Sequence, residues 1–178
     1  MLYQFSPVNS TEREMCKSNF LKSREISYKH YPTIEDLDKG DRDLVTTAFQ
    51  YAQSAYAPYS SFHVGAVLRL GNGQLLKGVN QENASYPAGL CAERVALFSA
   101  GAQHPDNPIE VLAVCADNPN KKLTQPVFPC GFCIQVMLEF EYRQKSPIRI
   151  LIGNPDTAIV EFESASLLMP FSFDPEQL

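Results

Sequence analysis

An α/β fold is what this sequence predicts, and three features point to it. Stretches with helical periodicity and stretches with strand periodicity alternate along the chain, the pattern of a sheet with helices packed on it. Residues 62–80 read as two strands around Asn72-Gly73, a dipeptide that favours a tight hairpin turn. Residues 109–116, Ile-Glu-Val-Leu-Ala-Val-Cys-Ala, are almost continuously apolar, as a strand buried on both faces must be.

Composition bounds the function classes. The 178 residues suffice for one domain with a sizeable core. An apolar content of 44% and a charged content of 20% are those of an ordinary soluble globular protein. The net charge of −5 argues against a nucleic-acid surface, which needs a basic stripe, and fits a small neutral partner. No apolar run approaches the length needed to span a membrane. Five cysteines, an odd number, fit a reducing compartment such as the cytoplasm better than a disulfide framework.

Residues 1–40 read as an N-terminal extension, partly flexible, and residues 41–178 as the main domain. The first 23 residues lack an apolar signal core and a small-residue cleavage site, so they are not a secretory signal. Cys16 among them reads as a surface thiol, and a role for this tail in partner contact stays open. Residues 24–31 alternate weakly and have room for an edge strand, with His30 exposed. Asp41 is placed as the N-cap of a helix over 42–56, where Leu44, Val45, Ala48, Phe49, Ala52 and Ala55 form one buried stripe. Pro58 cannot continue that helix.

The hairpin strands at 62–70 and 74–80 come next, with Phe62 at the entrance of the first. On the residues alone Phe62 is a core or rim aromatic. His63 points to the opposite face and is given no role. Asn80 and Glu82 are two apart and share a face, an amide beside a carboxylate that suits hydroxyl groups. The same N-Q-E-N run also reads as a polar turn in which Asn83 satisfies loop backbone. His104 lies in a proline-flanked loop and is expected to face solvent. Cys115, inside the apolar strand, reads as a small buried hydrophobe and not as a ligand. Strands at 148–152 and 157–162 flank a turn at 153–156, and a short helix starts at Ser164. Phe171 and Phe173 alternate like a strand and read as a core-packing tail.

Two stretches carry the chemistry: Cys91-Ala92-Glu93-Arg94 and Pro129-Cys130-Gly131-Phe132-Cys133. Each opens an amphipathic, helix-like run. Cys130 and Cys133, at i and i+3, project from one side of a first helical turn, with Pro129 at or just before its start. Helix N-termini favour thiolate over thiol. Three thiolates hold a tetrahedral Zn²⁺ with one position left open, which is what separates a catalytic zinc from a structural one. Glu93, two residues from Cys91, faces another way, so its carboxylate stands beside the metal and is free to move protons. Three thiolates leave the centre at minus one, and Arg94 is placed to hydrogen-bond the sulfurs and offset that charge.

C-A-E with P-C-x-x-C, preceded by N-Q-E-N-A-S-Y-P at 80–87, resembles the zinc cytidine deaminase family from about residue 41 to the end, with Cys rather than His as first ligand. The resemblance implies a three-layer α/β/α fold with a five-stranded mixed sheet. It implies Zn²⁺ on Cys91, Cys130 and Cys133, Glu93 as proton carrier, and hydrolysis of cytidine and deoxycytidine to uridine and deoxyuridine with release of ammonia. It also implies that Phe62 packs on the pyrimidine, that Asn80 and Glu82 grip the ribose, chiefly its 3′-hydroxyl, and that Ala92 touches the substrate. Phe173 then enters a neighbouring subunit's site in a homotetramer with shared active sites. The partner is a small-molecule nucleoside, with no nucleic acid and no membrane. Two departures stand out: Ile134 replaces a usual arginine, which puts that arginine's charge pairing in doubt, and Phe132 is bulkier than the usual small residue. Two other readings stay open, a deaminase of the same fold acting on another nucleoside or nucleobase, and a zinc-binding homologue without activity.

Overall fold

The structure, a computed structural model, describes residue 23 and residues 25–178. The expectations for residues 1–22, Cys16 among them, lie outside the described residues. In chain order the elements are β1 (Lys29–Tyr31), α1 (Lys39–Ala52), β2 (His63–Leu70), β3 (Leu75–Val79), α2 (Ala92–Gln103), β4 (Ile109–Asp117), α3 (Gly131–Gln144), β5 (Arg149–Ile152) and β6 (Ile159–Phe162). One mixed sheet runs β1-β6-β5-β4-β2-β3. The β4–β5 pair, joined through α3, is parallel, and the other pairs are antiparallel.

Side-chain alternation on β4 sorts the helices into layers. Val111, Ala113 and Cys115 pack with Leu44, Val45 and Ala48 of α1. Leu112 and Val114 point the other way and pack with Ala96 and Leu97 of α2 and with Met137 and Phe140 of α3. The helices therefore cover both faces of β4, which is why its sequence is apolar throughout. Asn72-Gly73 makes the β2–β3 turn as expected, with Gly73 at φ 82° and its N–H donating to the Leu70 carbonyl at 2.8 Å.

Four expectations need correction. Among the described residues the sheet has six strands, not five, because β1 adds antiparallel to the outer edge of β6. The strand is held where a buried carboxylate needs partners: Glu161, 1% exposed, accepts hydrogen bonds from Tyr31 at 2.8 Å and Lys29 at 3.1 Å. Asp38, not Asp41, caps α1 and accepts from the Asp41 N–H at 2.9 Å. Asp41 is buried in the first turn because its carboxylate pairs with Arg149 on β5. The helix also ends at Ala52, which removes Ala55 from its stripe. The chain beyond it turns to the site instead: the Tyr56 N–H donates to the Asn80 carbonyl at 3.1 Å, and the Glu82 N–H donates to the Tyr56 carbonyl at 2.8 Å. The C-terminal tail is neither strand nor core, since Phe171 and Phe173 are 88% and 57% exposed.

The Asp41–Arg149–Glu161–Lys29 chain of ion pairs ties α1, β5, β6 and β1 together. Burial by itself would raise the Glu161 pKa, but hydrogen bonds from Arg149, Tyr31 and Lys29 more than offset this and hold it below the usual value of 4.5. A carboxylate depressed in the folded state adds stability that is present above 4.5 and lost as the pH falls through the folded value. Glu161→Gln is expected to cost about 2–3 kcal/mol near neutral pH, less than a fully buried pair because Arg149 is partly in solvent. The gap should narrow in acid. Denaturant midpoints of both proteins at neutral and acidic pH measure it, and an equal gap at both would show that Glu161 contributes packing alone.

Candidate active site

Helix starts bring the three cysteines together. Cys91 is the N-cap of α2 and Cys130 the N-cap of α3, and neither sulfur caps its own helix. Cys133 sits in the first turn of α3 and is buried. Gly78 lets β3 lie close against α2: a Cβ there would stand 2.4 Å from the Ala92 carbonyl oxygen. The Cys91 and Cys130 sulfurs are 4.0 Å apart, and those of Cys130 and Cys133 are 3.5 Å apart. Tetrahedral zinc with bonds of about 2.3 Å would place its sulfurs about 3.8 Å apart, so this donor set fits that ion. The spacing is far beyond the roughly 2.05 Å of a disulfide. Among the described residues these three sulfurs are the group that comes together in this way, and Glu93 is not part of it.

The electrostatics follow from the same contacts. The Arg94 guanidinium donates to the Cys91 sulfur at 3.6 Å. Hydrogen bonding with Cys133 lowers the Cys91 pKa to about 5 against the opposing effect of burial, and Arg94 assists. Cys133 moves the other way, raised by its pairing with Cys91 and then by burial. Glu93, in the first turn of α2, is 4% exposed and lies beside Cys133. Burial raises its pKa, so this carboxyl holds a proton more readily than a solvated one.

Beside the sulfurs a cavity of about 640 Å³ opens, with Cys91, Cys130 and Glu93 in its wall. Val64 and Val114 from the sheet, together with Phe62 and Phe128, make the rest of that wall largely apolar. Asn80 and Glu82 both line it. Their partners were not foreseeable. Asn80 accepts from the Val64 N–H at 2.7 Å and donates to the Phe62 carbonyl at 2.9 Å, which clamps the start of β2. Glu82 accepts from the Tyr59 N–H at 2.8 Å, from the Ser60 N–H at 3.3 Å and from the Ser60 hydroxyl. The Ser60 hydroxyl and then the Tyr59 amide lower its pKa, keeping Glu82 ionised. Tyr59 and Ser60 also line the cavity and received no role from the sequence. Pro58-Tyr59-Ser60 read only as a helix breaker, since nothing local signals that Glu82 lies alongside.

The remaining candidates fall elsewhere. Ala92 is fully buried in the core behind the cavity, so its side chain is not offered to a ligand. Its backbone N–H belongs to the first helical turn, where amides lack intrahelical partners. Phe173 does not line this chain's cavity, and its carbonyl accepts from the Gln135 side chain at 2.8 Å. Ile134, on α3, is buried in the core that this helix shares with α2. Cys115 donates to the Val45 carbonyl at 3.3 Å, and burial raises its pKa, as befits a packing thiol. His104 lies on a loop, 3.1 Å from the Gln74 amide. Among the described residues no helix is long and apolar enough to cross a membrane.

Comparison with known proteins agrees with this geometry. Residues 38–146 match the family model described as the cytidine and deoxycytidylate deaminase zinc-binding region. A cytidine deaminase of Halalkalibacterium halodurans is 38% identical over 135 residues, 76% of this chain and 95% of that protein. A probable cytidine deaminase of Dictyostelium discoideum is 31% identical over 81% of this chain and 88% of its own length. The crystal structure of a Burkholderia pseudomallei cytidine deaminase superposes with a TM-score of 0.62 at 37% identity, covering 74% of this chain and 97% of that one. The converging thiols, the separate buried glutamate and matches that span nearly whole relatives lead to one conclusion: this chain belongs to the cytidine deaminase family.

Proposed function

We propose that this protein hydrolyses cytidine and deoxycytidine to uridine and deoxyuridine with release of ammonia. The observation that carries the proposal is the set of three converging free thiols, two of them in the wall of a nucleoside-sized cavity, beside a buried carboxylate that is not part of the set. Cys91, Cys130 and Cys133 would hold Zn²⁺, which when bound supplies a water acidified from a pKa of about 15.7 toward about 7. Glu93 takes a proton from the attacking water, places it on the ring nitrogen beside position 4, and later moves the proton of the newly added hydroxyl to the amine, so that the carbon–nitrogen bond breaks and ammonia leaves as the carbonyl forms. Its burial suits it to this exchange, because a raised pKa lets it both accept and return the proton. Arg94 offsets the negative charge of the thiolates through its bond to Cys91.

Binding falls to the groups around the cavity. Phe62 packs on the pyrimidine, and the backbone amide at Ala92 offers a donor to it. The ionised Glu82 and the Asn80 amide hold the ribose 3′-hydroxyl, with Glu82 oriented by Tyr59 and Ser60. A homotetramer accounts for the exposed aromatics, with Phe173 completing a neighbouring subunit's site and Phe132 and Tyr86 lying in contacts between copies. Free thiols of this kind persist in a reducing compartment, which supports a cytoplasmic location. Residues 41–178 form the catalytic body and residues 1–40 an extension of it.

The test is the absorbance change from cytidine to uridine together with ammonia release, on protein of measured zinc content. Conversion of cytidine and deoxycytidine but not of single-stranded DNA is expected. Zinc-loaded protein inert toward both nucleosides would leave the reading of a homologue without this activity.

A further inference from the structure

The cavity wall at Phe128 is backed by rings from outside residues 38–146, the stretch that the family model matches. Phe128 lies in the loop before Pro129 and Cys130, so no hydrogen-bonded ladder fixes its ring. It is 52% exposed and lines the cavity. Its described ring partner is Phe162, at the end of β6, at 6.3 Å between centroids and 72° between planes. Phe162 is itself covered by a second ring, that of Tyr28, at 5.7 Å and 36°.

The register explains why Tyr28 arrives there. Lys29 pairs with Glu161, so the next residue outward, Tyr28, stands opposite Phe162. Alternation then divides the segment by face. Lys29 and Tyr31 turn to Glu161, and Tyr28 turns with Phe162 to the face that carries α2, α3 and the thiols. β1 and Tyr28 precede residue 38, where the match to the family model begins. A segment outside the matched region therefore touches the active-site wall through one intermediate ring.

We propose that Tyr28 is a positioning residue for substrate, acting through Phe162 to hold the Phe128 ring against the cavity. This rests on the cavity being the cytidine site. Three rings in contact, one pair tilted and one edge-to-face, restrict one another's rotation, and the edge-to-face contact is directional. Without Tyr28, Phe162 loses its outer cover and Phe128 loses its fixed backing. The rings contact one another and carry no group that exchanges a proton with the substrate, so they do not enter the chemical step. The change belongs in KM and not in kcat.

The test uses the full-length, zinc-loaded protein. Tyr28→Ala is expected to raise the KM for cytidine by about 2- to 10-fold, the worth of one aromatic pair, with kcat and zinc content held. Tyr28→Phe should restore the wild-type KM, because the ring and not the hydroxyl makes the contact. Phe128→Ala should raise KM further, and adding Tyr28→Ala to it should change nothing more. A second readout does not need turnover. In protein labelled with fluorophenylalanine, the Phe128 ¹⁹F signal, assigned by its loss in Phe128→Leu, should shift in Tyr28→Ala. A lowered melting temperature with unchanged KM and an unmoved signal would overturn the proposal, as would additive effects in the double variant. A chain inactive on cytidine whose ¹⁹F signal still shifts would uphold the ring relay and overturn the assignment of the cavity.

Discussion

Glu93→Gln is expected to lower kcat by about 10³-fold or more while each chain keeps its zinc. The size follows from the double duty assigned to this carboxylate. A positioned acid or base contributes about 10²–10⁴ to a step, and Glu93 serves both in the attack and in the departure of the amine. Glutamine has nearly the same shape, so the buried place beside Cys133 stays filled and α2 keeps its first turn. It neither accepts nor returns a proton. Metal retention follows from geometry, because the group of converging ligand atoms consists of the three sulfurs alone. Zinc analysis and saturation kinetics with cytidine check both halves. A kcat within tenfold of wild type would move proton transfer to another group, and loss of zinc would make Glu93 a ligand.

Cys133→Ala is expected to abolish stable zinc binding and, with it, activity to below about 10⁻³ of wild type, since the acidified water is lost along with the ion. Cys133 is fully buried and lies 3.5 Å from the Cys130 sulfur, so no solvent-exposed group can take its place without moving α3. The ion would also join the N-termini of α2 and α3, two helices that begin far apart in the sequence. Its loss should therefore lower the melting temperature, by the linkage between ligand binding and folding. Treating wild type with a chelator should reproduce the same fall. Cys115→Ala is the matched control, another buried cysteine truncated in the core but one bonded to a backbone carbonyl. It should destabilise modestly and leave zinc and turnover intact. Stoichiometric zinc in Cys133→Ala, or metal loss in Cys115→Ala, would contradict the assignment of ligands.

The difference between the two cysteines could be read before any fold was known. Cys130 and Cys133 sit one turn apart after a proline, while Cys115 is embedded in an apolar strand. Spacing within one turn or along one strand is local, and the chain's own geometry enforces it. The same holds for the Asn72-Gly73 hairpin and for β4, whose unbroken apolar run announces burial on both faces. The edges of elements were less well marked. Asp38 and Asp41 are equally good capping residues, and the choice fell to Asp38 because Arg149, 108 positions away, draws the Asp41 carboxylate inward.

By itself, then, the sequence determined the class of fold, the three thiols, the separate glutamate and the presence of Asn80 and Glu82 at one wall. Tertiary structure alone decided what each of these touches. It set Ser60 and Tyr59 under Glu82, turned the Asn80 amide onto the backbone of β2, and laid Tyr28 over Phe162 behind Phe128. It also made Gly78 the point where β3 meets the helix that begins at Cys91. The physical reason is range. Periodicity and capping act over a few residues, whereas these contacts depend on strand order and register, which in the case of Tyr28 and Phe162 bring residues more than a hundred positions apart to within a ring's width.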